Sequence, residues 1–361
     1  MKINQERLIN SFIRLVQIDS ESGEEEVIVE CLQNELNNLN FTCVVDKTGN
    51  LIASNGESPI IALAAHVDTV QPGKNIKPII TKDGTIKTDG STILGADDKT
   101  GVASILEILK VLSENNKPIQ LEVIFTVQEE TGLVGSKNLD FKTLKSKKAI
   151  NLDAEPGHII IGEPANMQFD IEILGKSAHA MHPEKGINAI EIAANSIKKI
   201  KWGRIDEETT LNVGLINGGL ARNIVPAKVL IEAEVRSRSL AKFKLHCQRL
   251  VKTFEEVAKS MGGEVKIKNH QEAWPFVLSA EDQLVQTIAA ACKKNKIKPD
   301  IKLVGGNTDA NVFNANGIKT ITTGSCGIDY HTTQESVTEE TLAKGTQIVL
   351  DALLSLSKEI K

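Results

Sequence analysis

The sequence predicts a mixed-sheet α/β domain interrupted by an inserted α+β domain of ferredoxin-like order. Three observations carry this reading. The 361 residues exceed what one ordinary core holds, so two domains are expected. Strand-length apolar runs alternate with helical patterns at the start of the chain and again near its end. In between, from Gln168, the order becomes β-α-β-β-α-β. The expected division is residues 1–165 with 275–361 for the first domain and 166–274 for the second.

Taken in order, residues 4–17 and 24–39 read as amphipathic helices; Val27, Val29, Leu32 and Leu36 roughly follow helical spacing in the second. Short strands follow at 42–46, 51–54 and 59–65. Residues 73–95, rich in Gly, Asp, Lys and Thr, suggest a loop with a hairpin. A strongly apolar helix follows Gly95-Ala96-Asp97-Asp98-Lys99-Thr100-Gly101, and strands are expected at 121–127 and 148–152. The inserted part has strands at 169–174, 210–216, 229–236 and 264–268, with helices at 188–200 and 240–261. Its strands alternate, as in F-D-I-E-I, which implies one wet face and one face covered by helices. The chain returns through helix 281–294, strand 300–304, helix 308–316, strand 320–323 and a long helix after Glu335.

Composition narrows the function. A net charge of −5 with both signs dispersed offers no basic surface for nucleic acid or an anionic membrane. Aromatic residues, at 3%, leave little for base stacking. No apolar run is long enough for a bilayer, and M-K-I-N-Q-E-R-L lacks the apolar core of a signal peptide. The five cysteines are odd in number, scattered and without a C-x-x-C pair. A cytoplasmic location with reduced thiols is therefore expected, rather than a disulfide framework or a cysteine zinc site.

The chemistry gathers where strands end. The apolar run before His66 delivers His66 and Asp68, two residues apart and pointing the same way at the carboxyl end of a buried strand. Open α/β sheets place their sites there. Asp97, Glu129 and Glu130, Asp153, and His331 also follow buried strands or open the helix beyond one. Imidazole and carboxylate suit Zn²⁺, Mn²⁺ or Co²⁺. Three ligating carboxylates and a hydroxide would balance two divalent ions. Each residue also has a plainer reading: Asp97 or Asp98 as a helix N-cap, Glu129-Glu130 as a solvated turn pair, Asp153 as a turn residue, His331 as a loop histidine. Their shared placement at strand ends favours metal.

H-V-D-T, G-A-D-D-K-T-G, E-E-T-G, L-D-A-E and Y-H-T, in this order and spacing, resemble the co-catalytic metallopeptidases. That family includes peptidase T, carboxypeptidase G, aminoacylase, acetylornithine deacetylase and succinyl-diaminopimelate desuccinylase. The resemblance covers essentially the whole chain and implies a zinc-exopeptidase-like catalytic domain. It implies that His66 and Asp153 hold one metal, Glu130 and His331 the other, and that Asp97 bridges both. Asp68 would stand behind His66, and Glu129 would be the general base. The inserted domain would be a lid and dimerisation domain, with His179 (or His182 nearby) reaching a substrate carbonyl. By the same resemblance Arg222 and Asn223 would lie in a substrate-binding loop, and Arg236 would take the place of a carboxylate-binding arginine. Asp309, beside the expected pocket, is a candidate for the substrate's amino end. The texture around Asp97 and Glu129 most resembles peptidase T, which implies a tripeptide aminopeptidase acting on short peptides. The alternatives are an N-acyl-amino-acid amidohydrolase, a carboxypeptidase, or a binding protein that kept the fold and lost turnover.

Overall fold

The apolar run before His66 becomes the strand Ala62–His66, all five residues buried, in a computed structural model that describes residues 1–359. It pairs in parallel with Glu122–Thr126 on one side and with Lys148–Asn151 on the other. Lys319–Thr322 continues the parallel set beside Lys148–Asn151. The hairpin of Thr42–Val45 and Leu51–Ser54 adds an antiparallel edge. The opposite edge holds His158–Glu163 and Phe276–Val277, with Asp300–Leu303 parallel to His158–Glu163. The nine strands form a mixed sheet in an α/β domain, the layering that the alternation of elements predicts.

Helices cover this sheet for legible reasons. Gln5–Val16 starts at Asn4, whose side chain accepts the Arg7 N–H, and buries Leu8, Phe12, Leu15 and Val16 along one stripe. Each such side chain contributes about 1.5–3 kcal/mol by leaving water. Ala96–Glu114 is buried on nearly every side because the sheet, Gln5–Val16 and Glu339–Glu359 all pack on it. That is why its sequence is apolar all round rather than striped. A smaller cluster on Ala62, Ala64 and Ile124 is closed by Phe313 of the helix Asp309–Ala315.

The first compact unit comprises residues 1–162, 277–303 and 308–361. The second comprises 163–276 and 304–307. In it Thr209–Gly218, Lys228–Ser237, Ala165–Leu174 and Glu264–Ala273 lie side by side, all antiparallel. Ala189–Lys199 and Leu240–Ser260, the latter contributing Phe254, pack on one face over Phe169, Ile171 and Ile231. Asp170 and Glu232, on the alternate positions, face solvent. Residues 304–307 join this unit through hydrogen bonds: Arg238 to the Val304 carbonyl, Arg236 to the Gly305 carbonyl, and Asn307 to the Pro164 carbonyl.

Two features lie outside the sequence reading. His158–Glu163 is a sheet strand in a stretch to which no element was assigned. The expected hairpin, Ile79–Ile80 with Thr85–Lys87, takes Ser336–Thr338 as a third strand. Such distant pairing leaves no local pattern. Among the described residues no helix is long and apolar enough to cross a membrane.

Candidate metal centre

His66, 2% exposed, ends its strand with the ring fixed from behind. Its Nδ1 lies 3.0 Å from the Asp68 carbonyl oxygen and 3.4 Å from the Asp68 carboxylate, so Nε2 is left facing Asp97 Oδ1 at 3.0 Å. Asp68 does more than orient this ring. Its Oδ1 accepts the Glu129 N–H at 2.9 Å, while Oδ2 accepts the Glu130 N–H at 3.2 Å and the Ser22 hydroxyl at 2.7 Å. Glu25 accepts the Gln128 N–H at 3.0 Å. Two buried carboxylates thus hold the turn that presents Glu129 and Glu130, in which Gln128 takes a left-handed φ of 52°.

Asp97 and Asp98 divide the readings offered for them. The backbone at both is non-helical, and Asp98 Oδ1 accepts the Gly101 N–H at 3.0 Å as a cap. Asp97 is thereby free to face two imidazoles, His66 Nε2 at 3.0 Å and His331 Nε2 at 3.3 Å. Glu130 Oε1 lies 2.9 Å from His331 Nε2, yet this buried oxygen makes no hydrogen bond. His66, Asp97 and Asp153 offer ligand atoms all within 4.8 Å of one another, and so do Asp97, Glu130 and His331. Asp97 belongs to both groups.

The electrostatics are those of a site short of positive charge. Burial pushes the Glu129 and Asp153 carboxyls well above the carboxylate range, and neighbouring carboxylates add to the shift. Burial works against charge on Asp97 and His66 too, but His331 and His66 outweigh it on Asp97, and Asp68 and Asp97 outweigh it on His66. Asp97 is held well below its ordinary value and His66 well above. The carboxylates of Asp97 and Glu130, 3.3 and 2.9 Å from its Nε2, push His331 up to about 10. Protons on the imidazoles stand where cations would relieve the same repulsion. The all-nitrogen-and-oxygen donor set, the shared Asp97 and the unbonded Glu130 oxygen fit a pair of divalent ions.

The second unit brings two sequence-selected segments together. Ala178–His179 pairs antiparallel with Ile224–Val225, and the Ala180 N–H donates to the Asn223 carbonyl at 2.9 Å. His179 Nδ1 accepts the Met181 N–H, leaving Nε2 outward, whereas His182 lies 3.5 Å from Glu184. Arg222 and Asn223 are exposed. Two expectations need correcting. Arg236 is engaged by both carboxylate oxygens of Glu234 and by the Gly305 carbonyl, so its guanidinium is not free for a substrate carboxylate. Asp309, expected at the substrate's amino end, is only 1% exposed and bonds the Thr126 hydroxyl beneath the strand end. Sequence reasoning also missed Glu25 and Glu335. Both act on backbone N–H groups, which no residue spacing announces.

Fold and site together define a class, the metal-dependent hydrolases. The chain belongs to peptidase family M20/M25/M40, which matches residues 62–355. It is 38% identical over 371 residues to the Bacillus subtilis protein YqjE, covering 99% of this chain and 100% of that one. Peptidase T of Listeria monocytogenes is 25% identical over 405 residues, covering 96% and 98%. Among solved structures, a tripeptidase from Staphylococcus aureus superposes with a TM-score of 0.96 at 34% identity, covering 99% of this chain and 100% of that one. Aminopeptidase PepT from Bacillus cereus gives a TM-score of 0.93 at 39% identity, covering 98% and 99%.

Proposed function

We propose that this chain is a tripeptide aminopeptidase that cleaves short peptides carrying a free amino end. The observation that carries the reading is the sharing of Asp97 between two ligand groups, with Glu129 beside them. The likeness to a tripeptidase and to an aminopeptidase along essentially the whole chain supports the choice of substrate. In this reading His66, Asp97 and Asp153 hold one divalent ion, and Asp97, Glu130 and His331 the other. Zinc suits the donors best, and cobalt or manganese are the substitutes. Bound there, the ions would lower the pKa of a water and polarise the scissile carbonyl. Glu129 takes the proton of the attacking water and delivers it to the leaving amine. Asp68 keeps His66 in one tautomer and the Glu129 turn in place. His179 donates from Nε2 to the substrate carbonyl, and Arg222 with Asn223 binds the peptide's far end.

A homodimer through the second unit belongs to the same proposal. Among the described residues, the outer side of Thr209–Gly218 is paired near its start, at Thr210 and Leu211. Leu215 and Ile216 are exposed further along, an edge that a second copy would cover. A cytoplasmic location accords with five free cysteines.

The test is kcat/KM for one tripeptide in free, N-acetylated and C-amidated form, with Zn²⁺, Co²⁺ or Mn²⁺ added. N-acetylation is expected to abolish cleavage, and amidation to weaken it less than that but measurably, the loss of one charged contact costing about two to three decades. Equal cleavage of the N-acetylated form would replace the aminopeptidase by an amidohydrolase or carboxypeptidase. Metal binding without turnover on any of these would leave a binding protein.

A further inference from the structure

The loop that carries Asp97 is not fixed by the helix it precedes, since regular helical geometry begins only after Asp98. Its hold comes from far along the chain. Glu335, 1% exposed, accepts the Leu94 N–H at 2.7 Å and the Gly95 N–H at 2.6 Å on Oε2, and the Asp97 N–H at 3.0 Å on Oε1. Both oxygens are therefore committed to one short stretch of backbone. The main chain of Glu335 serves the other side. Its N–H donates to the Thr332 carbonyl at 3.1 Å, and Ser336 and Ile328 exchange backbone hydrogen bonds at 2.9 and 3.1 Å. These contacts close the loop that presents His331, where Asp329 and His331 both adopt left-handed φ. One residue thus closes the His331 loop with its backbone and grips the Asp97 loop with its side chain.

We propose that Glu335 is a positioning residue of the metal centre: it sets the separation of Asp97 and His331, and with it the affinity for the ion these two share with Glu130. It touches neither the substrate nor a ligand atom, and acts through the backbone on which two ligands are mounted. The proposal rests on the two-ion reading above. A carboxylate is the group required, because three N–H donors converge on two acceptor oxygens. An amide of the same length would turn an N–H₂ toward one of those donors. An aspartate would keep both acceptors but fall one methylene short.

The test is calorimetric titration of the chelator-stripped full chain with Zn²⁺, for wild type, E335Q and E335D. Melting of the stripped proteins and kcat at excess metal are measured alongside. In both variants one of the two ions is expected to bind about 10–100-fold more weakly. The stripped proteins should melt near wild type, and kcat should return toward the wild-type value at excess Zn²⁺. Unchanged affinity for both ions would overturn the proposal. So would a fall in melting temperature with both affinities intact, or failure of both variants to fold, since either would assign Glu335 to the fold alone. A wild type that binds no second ion would instead defeat the two-ion reading, and that result is read before any variant is compared.

Discussion

Asp97 faces two imidazoles from one carboxylate, so its loss should be felt at both ions. Asp97→Ala is expected to empty both sites, whereas Asp153→Ala should weaken chiefly the site it shares with His66; metal content per chain after dialysis checks this. Glu129 and Glu130 are neighbours on one turn with different contacts. Glu129→Ala should retain two ions and its melting temperature and lose about a thousandfold in kcat, as removal of a general base does. Glu130→Ala should lose metal first. Reversed phenotypes would exchange the two roles. The gathering of His66, Asp97, Glu130, Asp153 and His331 was legible in the sequence, because groups that follow buried parallel strands sit where the sheet's own geometry brings them together. The misreadings have specific causes. Arg236 follows Glu234 by two positions on one strand, so both project to the same face, and period two alone could have foretold their pairing. Asp309 opens a helix after a glycine-rich loop, a setting that looks open, and only the packing of Thr126 against it decides its burial.

The helix Asp309–Ala315 and the helix Leu240–Ser260 make contrasting tests of packing. Phe313 closes the small cluster on Ala62 and Ile124, directly behind the strand that ends in His66. Phe313→Ala is expected to cost about 3–5 kcal/mol in the first unit, measured by denaturant unfolding, and to weaken metal binding as its supporting strand loosens. Phe254 fills the separate core of the second unit. Phe254→Ala should cost a similar amount there while leaving metal affinity unchanged. Equal metal loss in the two variants would contradict this separation. Element types were readable because period 3.6 and period 2 differ plainly in these segments. The third strand Ser336–Thr338 was not, since three residues carry no period and their partner lies some 250 residues away.

At the scale of the molecule, two compact units, each with apolar packing of its own, imply two unfolding events. Scanning calorimetry should show two transitions, and metal removal by chelator should lower the one belonging to the first unit and leave the other in place. A single transition moving as a whole would instead mean that the units melt as one. The order of the strands has a consequence in time. Lys319–Thr322 occupies an interior place in the sheet, next to Lys148–Asn151 and before His158–Glu163, although it comes almost last in the chain. His331 comes later still. Chains leave the ribosome amino end first. A nascent copy that has emerged past Asp153 therefore carries His66, Asp97, Glu130 and Asp153 with an unfilled slot in its sheet and one imidazole still to come. The candidate centre of such a copy is complete only once Lys319–Thr322 and His331 have emerged, after every strand of the second unit has been made.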